Sequence, residues 1–173
     1  EPASVAKANA VKDRVAMRAE RRPDSVPVDE KVRAVFSLEG AARKYDDRIS
    51  NTRLTYSDGV TVSRIANTFG TYIEMETART RSALIAVASD GSLRQTGYES
   101  VGRLEGFELI EKLTAEDLSL KAAKRAVDLL SAKPAPSGRL PVIFDHSVTG
   151  LFVHEAFGHN SEADLVWAGE SII

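Results

Sequence analysis

Between residues 47 and 105 the sequence commits the chain to strands. Thr, Val, Ile and Tyr dominate this stretch, and turn signals stand at Ser57, Asp58 and Gly59, at Phe69 and Gly70, and at Ser89, Asp90 and Gly91. Residues 51–56 alternate polar and apolar with a period of two, as a strand does when one of its faces is wet. Strands are expected over 51–56, 60–67, 72–88 and 92–103. Turns this short leave no room for a crossover helix, so successive strands pair antiparallel as a meander. The polar alternates Arg64, Glu74, Glu76 and Arg79 mark its wetted face. Gly102 and Gly106 close the section.

Helical patterns flank it. Over residues 4–22, Ser4 is a capping residue and Val5, Ala8, Val11 and Val15 recur at helical spacing, until Pro23 and Pro27 break the run. Asp29 is placed to cap a second helix that continues to about Tyr45, with Gly40 weakening its middle. A third starts at Thr114, carries Glu116 and Asp117 in its first turn, and aligns Leu118, Ala122, Ala126, Leu129 and Leu130 on one side. Pro134, Pro136 and Gly138 end it. The expected organisation is a first domain over 1–133, a linker over 134–139, and the start of a second domain over 140–173. In the second, the apolar residues 140–144 read as a short strand buried on both faces. Asp145 or Ser147 then caps a last helix. The fold class is α+β: helices flanking an antiparallel meander, then a strand and a helix.

That last helix carries the chemistry. His154, Glu155 and His159 follow one another as H-E-x-x-x-H, and His146 is the only other histidine. Neutral imidazoles ligate zinc and similar ions, and a carboxylate beside the metal can take a proton from bound water. The familiar zinc helix separates its histidines by four residues; here the separation is five. On a regular α-helix five steps place the second ring roughly 140° from the first. A π-type widening between Glu155 and His159 restores them to one side, and Gly158 favours it. The bland alternative is that both rings cap carbonyls or sit in a core, in a non-catalytic β-meander interaction module.

Composition excludes other classes. The 173 residues include 43% hydrophobic side chains, enough for a core. Lys+Arg 23 against Asp+Glu 25 argues against a broad nucleic-acid surface; Arg14, Arg18, Arg21 and Arg22 read as a solvated helix face. With no cysteine there is no disulfide, and within these residues no thiolate ligand. No apolar run is long enough to span a membrane, and cytoplasmic residence fits. The absence of an initiator Met makes the chain look like an internal piece of a longer protein.

The flanks of the motif carry a resemblance. Gly150, His154, Glu155, Ala156, Gly158, His159, Glu162 and Asp164, followed by Gly169 and Ser171, resemble the signature of the TldD/PmbA metalloproteases, also called modulators of DNA gyrase. Residues 132–138, the Ala88, Ser89, Asp90, Gly91 turn and the glycine-rich 102–107 are similar to that family as well. The motif points to the TldD-like branch, since PmbA-like paralogues usually lack it. The resemblance implies zinc held by His154 and His159, catalysis by Glu155, and a third ligand, a cysteine, downstream of Ile173. It further implies a zinc-dependent peptidase for unfolded or flexible peptides, a second family subunit as dimer partner, and neither nucleic acid nor membrane as partner. This chain by itself is then an incomplete and inactive portion. Glu162 and Asp164 are candidate orienters of the imidazoles. Asn160 and Ser161 replace small residues of some relatives. Trp167 packs over the site or awaits another domain.

Overall fold

A computed structural model describes residues 9–172. The chain separates into two compact units between Lys133 and Pro134.

The first unit is built on a long hairpin. Strand β2 (Ile49–Ala66) pairs antiparallel with β3 (Tyr72–Asp90), and β3 pairs antiparallel with β4 (Leu93–Arg103). The expected meander is present. The expected turn at Ser57, Asp58 and Gly59 is not: β2 runs straight through it, with Ser57 opposite Arg81 and Gly59 opposite Arg79. A turn signal is a local preference, and here the ladder to β3 takes the backbone groups a turn would have used. The Asp58 carboxylate serves the tertiary fold instead, accepting from the Tyr56 hydroxyl and from Lys31 Nζ at 2.6 Å. The real hairpin turn lies at residues 67–71, where Asn67 Oδ1 accepts the amides of Phe69 and Thr71 and Gly70 takes φ 90°. Gly91, at φ 58°, makes the second turn.

The helix expected over 4–22 is overturned in its described part; residues 1–8 lie outside the described residues. Residues Lys12–Val15 form strand β1, parallel to β3 with Lys12 opposite Tyr72 and Val15 opposite Met75. Val11 and Val15 stay exposed, so a helical stripe here has no apolar surface to join. The edge of β3 beyond the end of β4 instead offers unpaired backbone groups, and β1 occupies it.

All three helices of this unit serve one face of the sheet. The even-numbered residues of β3 from Ala78 to Ala88 are buried, and four of the six are Ala or Ser. Such a small-residue face admits a helix at close range. Helix α3 (Ser119–Leu130) sits so near β4 that a Cβ on Gly97 would lie 1.9 Å from the Ala122 carbonyl oxygen. Helix α1 (Val28–Arg43) contributes Leu38 and Ala42. Pro27, not Asp29, is its N-cap; Asp29 and Glu30 lie in the first turn, where their charge favours the helix dipole. The helix expected from Thr114 begins only at Ser119, because Thr114 and Asp117 bond reciprocally in a separate turn before it; Leu129, expected on its apolar side, points outward. A short helix the sequence did not reveal, α2 (Glu108–Lys112), precedes them.

Glu108 locks the unit's N-terminal segment. Its side chain accepts the amides of Glu20 (3.1 Å), Arg21 (3.0 Å) and Gly106 (2.9 Å). Burial pushes its carboxyl up, but these backbone donors prevail and hold it below the ordinary value. Beside it, Phe107 donates its amide to the Arg21 carbonyl at 2.9 Å and packs edge-on against Tyr56, with the Arg21 guanidinium over its ring.

In the second unit the strand expected over 140–144 is absent, and Ile143 is 99% exposed. An extended segment becomes a strand only when a neighbour takes its backbone groups; among the described residues none does, and Pro141 removes one donor. Helices α4 (His146–Val153) and α5 (Ala163–Ala168) follow, joined through a π turn (His154–Gly158) and a 3-10 turn (His159–Ser161). Among the described residues no helix is long and apolar enough to cross a membrane.

Candidate metal centre

Asp145 starts the helix that carries the site. Its Oδ1 accepts the amides of Ser147 (2.9 Å) and Val148 (3.0 Å) and the Ser147 hydroxyl (2.6 Å). The Ser147 hydroxyl and these amides hold the carboxyl below its ordinary value, as suits an anion on the free donors of a helix N-terminus. His146 is the first residue of this helix and is not part of the cluster below.

From Val153 onward the helix widens. The His159 amide donates to the His154 carbonyl, five residues back, and the widened segment spans His154–Gly158. The distortion that the five-residue spacing demands is therefore present. Its effect is direct: the two imidazole centroids stand 4.5 Å apart. Gly158 contributes less than expected. Its φ of −58° is ordinary helix, and a Cβ there would meet His154 Nδ1 at a comfortable 3.6 Å. The glycine loosens the helix by propensity rather than by relieving a clash.

Two neighbours brace the irregular turn. Asn160 Nδ2 donates to the Ala156 carbonyl (3.3 Å) and Ser161 Oγ to that of Phe157 (2.9 Å). Asn160 and Ser161 thus each add a side-chain bond to a carbonyl of the widened segment. Ser171 Oγ donates to the Asn160 carbonyl at 2.5 Å, returning the chain onto the turn after Gly169 ends α5 at φ 73°. No motif signals these supports, although Asn and Ser after a widened helix are suited to them.

One ligand atom from each of His154, Glu155 and His159 falls within 4.8 Å of the others, the one such group of three among the described residues. Nitrogen ligands at about 2.0–2.1 Å from a common ion stand no more than about 4.2 Å apart, so the spread of this group is close to that of a divalent-cation site. Glu162 Oε1 lies 2.8 Å from His159 Nδ1. A neutral imidazole that donates from Nδ1 to a carboxylate keeps its Nε2 lone pair for a metal, and this contact has the geometry for that arrangement. Of the two candidate orienters, Glu162 therefore reaches a ring and Asp164 does not; the Asp164 carboxylate accepts the Leu165 amide at 3.0 Å. Glu155 Oε2 stands 3.9 Å from His159 Nε2. His154 and Glu155 are exposed and His159 is half-buried, so the group is open to an incoming ligand. Trp167 covers nothing, being 92% exposed.

The chain is similar in sequence to known proteins. The family model described as the PmbA/TldA metallopeptidase central domain matches residues 21–130. Over 161 residues the chain is 41% identical to a metalloprotease of Methanothermobacter thermautotrophicus, covering 93% of the chain and 35% of that protein. A Saccharolobus solfataricus protein named zinc metalloprotease TldD homolog is 22% identical over 141 residues, 82% of the chain and 32% of that protein. The chain thus spans about a third of the length of these relatives. Among solved structures, a Thermotoga maritima protein described as a candidate modulator of a DNA gyrase superposes with TM-score 0.60 at 26% identity, over 69% of this chain and 27% of the other.

Proposed function

The chain belongs to the TldD/PmbA metallopeptidase family, and on that premise we propose that the whole protein is a zinc-dependent peptidase acting on unfolded or flexible peptides, in which this chain supplies two metal ligands and the catalytic carboxylate. The observation that carries the reading is the π turn, which brings two imidazoles five residues apart to within 4.5 Å beside an exposed carboxylate. His154 and His159 are the imidazole ligands. A tetrahedral site takes a further protein ligand, expected C-terminal to Ile173. Zinc, when bound, supplies Lewis-acid polarisation of a carbonyl and a lowered pKa for coordinated water.

The residues of this chain do the rest. Glu162 fixes the tautomer and orientation of His159. Glu155 takes a proton from the attacking water and delivers it to the leaving amine. A second family subunit and a peptide substrate are the partners of this reading.

Glu155→Gln in the complete protein tests it. Peptide hydrolysis should fall by about 10²–10⁴-fold or more while metal content, measured by elemental analysis, is unchanged. Loss of the metal together with activity would make Glu155 a ligand and overturn its catalytic role. Residues 1–173 alone should show no chelator-sensitive hydrolysis; finding it would refute the need for a further ligand.

A further inference from the structure

The face of the sheet opposite the three helices is basic, in a chain whose formal charge is −2. The ladder puts the odd-numbered residues of β2 and β3 and the even-numbered residues of β4 on this face. From residue 51 to 61, 77 to 89 and 94 to 102, those positions hold four arginines, Arg53, Arg79, Arg81 and Arg94, and no Asp or Glu. All four are exposed. Arginines elsewhere in the unit, such as Arg21, Arg22, Arg43 and Arg48, are paired with carboxylates. Arg53, Arg79 and Arg94 form no ion pair among the described residues, and Arg81 donates only to the Tyr98 hydroxyl, at 3.1 Å.

Arg53 and Arg81 line a depression of about 220 Å³ floored by Ala83 and Ile85. A second, adjoining one of about 660 Å³ reaches from Arg81 past Arg79. In ladder register the arginines fall at the levels of residues 79, 81, 85 and 89 of β3. At about 3.4 Å per residue this is a track of roughly 30 Å, the span of about ten extended residues.

We infer that this face docks an extended acidic polypeptide segment, whose carboxylates pair with Arg53, Arg79, Arg81 and Arg94. Four uncompensated guanidiniums on one surface repel one another, and a guanidinium fork matches a carboxylate in bidentate geometry. The apolar floor suits the aliphatic stems and backbone of such a segment. A single-stranded nucleic acid fits less well. Its binding rests on successive bases stacked on aromatic side chains, and Tyr98 is the one aromatic residue in the same positions. The inference does not depend on the metal centre.

The test is fluorescence anisotropy on the 173-residue chain with a labelled peptide of about ten residues alternating Glu and Ser, beside a Lys/Ser peptide and an oligo(dT) probe. The Glu/Ser peptide should bind, and should bind more weakly as salt rises. Arg53→Glu combined with Arg81→Glu should weaken it by at least about tenfold. Arg33→Glu combined with Lys121→Glu, the same change of charge on the helices, should leave it within about twofold. Equal loss in both double variants, tighter binding of oligo(dT) than of the acidic peptide, or no binding of the acidic peptide would each overturn the inference. Should the reversal variant fail to fold, Arg53→Gln with Arg81→Gln decides: a loss confined to the acidic peptide supports the inference, and unchanged binding refutes it.

Discussion

Replacing Glu108 by Gln isolates the contribution of one buried carboxylate to the fold. Glu108 is 5% exposed. Its Oε1 accepts the amides of Glu20 and Gly106, and its Oε2 that of Arg21. Gln keeps the shape but can present only one acceptor. In its better orientation the amide oxygen retains the Glu20 and Gly106 bonds, now without charge assistance, and the NH2 group faces the Arg21 amide donor to donor. An unsatisfied part-buried donor costs about 1–3 kcal/mol, and the two weakened bonds add roughly 1 kcal/mol between them. The expected loss is about 2–4 kcal/mol, a large share of the roughly 5–15 kcal/mol that holds a domain folded. For a unit of this size that corresponds to a fall in Tm of roughly 5–15 °C.

The effect has a pH signature. Because the folded carboxyl is held below its ordinary value, its stabilisation is complete above the unfolded value, about 4.3–4.5, and is lost as pH falls through the folded one. The gap between the two proteins should be full at pH 7 and should narrow in acid below about pH 4. Calorimetric melts at several pH values measure it. An unchanged Tm at neutral pH, or a gap that does not close in acid, would refute the clamp.

Two further outcomes follow from close contacts. Gly97→Ala places a methyl carbon 1.9 Å from the Ala122 carbonyl oxygen and 2.7 Å from the Ala126 amide nitrogen, so α3 must lift off β4; urea titration should show a loss of about 3 kcal/mol or more. Deleting Phe157 converts the separation of His154 and His159 from five residues to four, so an unwidened helix now keeps both rings on one face. The complete protein carrying this deletion should still take up metal, and loss of the metal with the helix otherwise intact would show that the π turn has a role beyond aiming the rings.

The elements that sequence reading located are those whose signals are local. Asp145 heads its helix because a carboxylate one residue before a helix satisfies free amides whatever surrounds it. The π turn was legible because a five-residue spacing and a common direction for two rings are incompatible with any regular α-helix. The hairpin turn at Gly70 was legible because only its local backbone has to be right. The misses share the opposite property. Lys12–Val15 is a strand because β3, sixty residues away, has an open edge there. Ser57, Asp58 and Gly59 stay extended because their backbone partners already lie on β3. Residues 140–144 are apolar and extended in character but have no ladder partner among the described residues. At the metal centre, His154, Glu155 and His159 were readable from their types and order. The bracing by Asn160 and Ser171 depends on the chain returning to the turn, and no spacing rule encodes it.

The alternation along β3 also guards its alignment. Side chains on a strand alternate between faces, so a slip of one residue against β2 and β4 turns every inward group outward and every outward group inward. Such a slip would replace Ala78, Thr80 and Ser82 beneath the helices with Arg79 and Arg81, and a guanidinium cannot be buried there without a partner. The charges on the open face thus disqualify the shifted pairing before any ligand is involved. Glutamate at those positions would preserve that safeguard, since a carboxylate tolerates burial no better. Leucine would remove it and leave the long hairpin free to settle one step out of line.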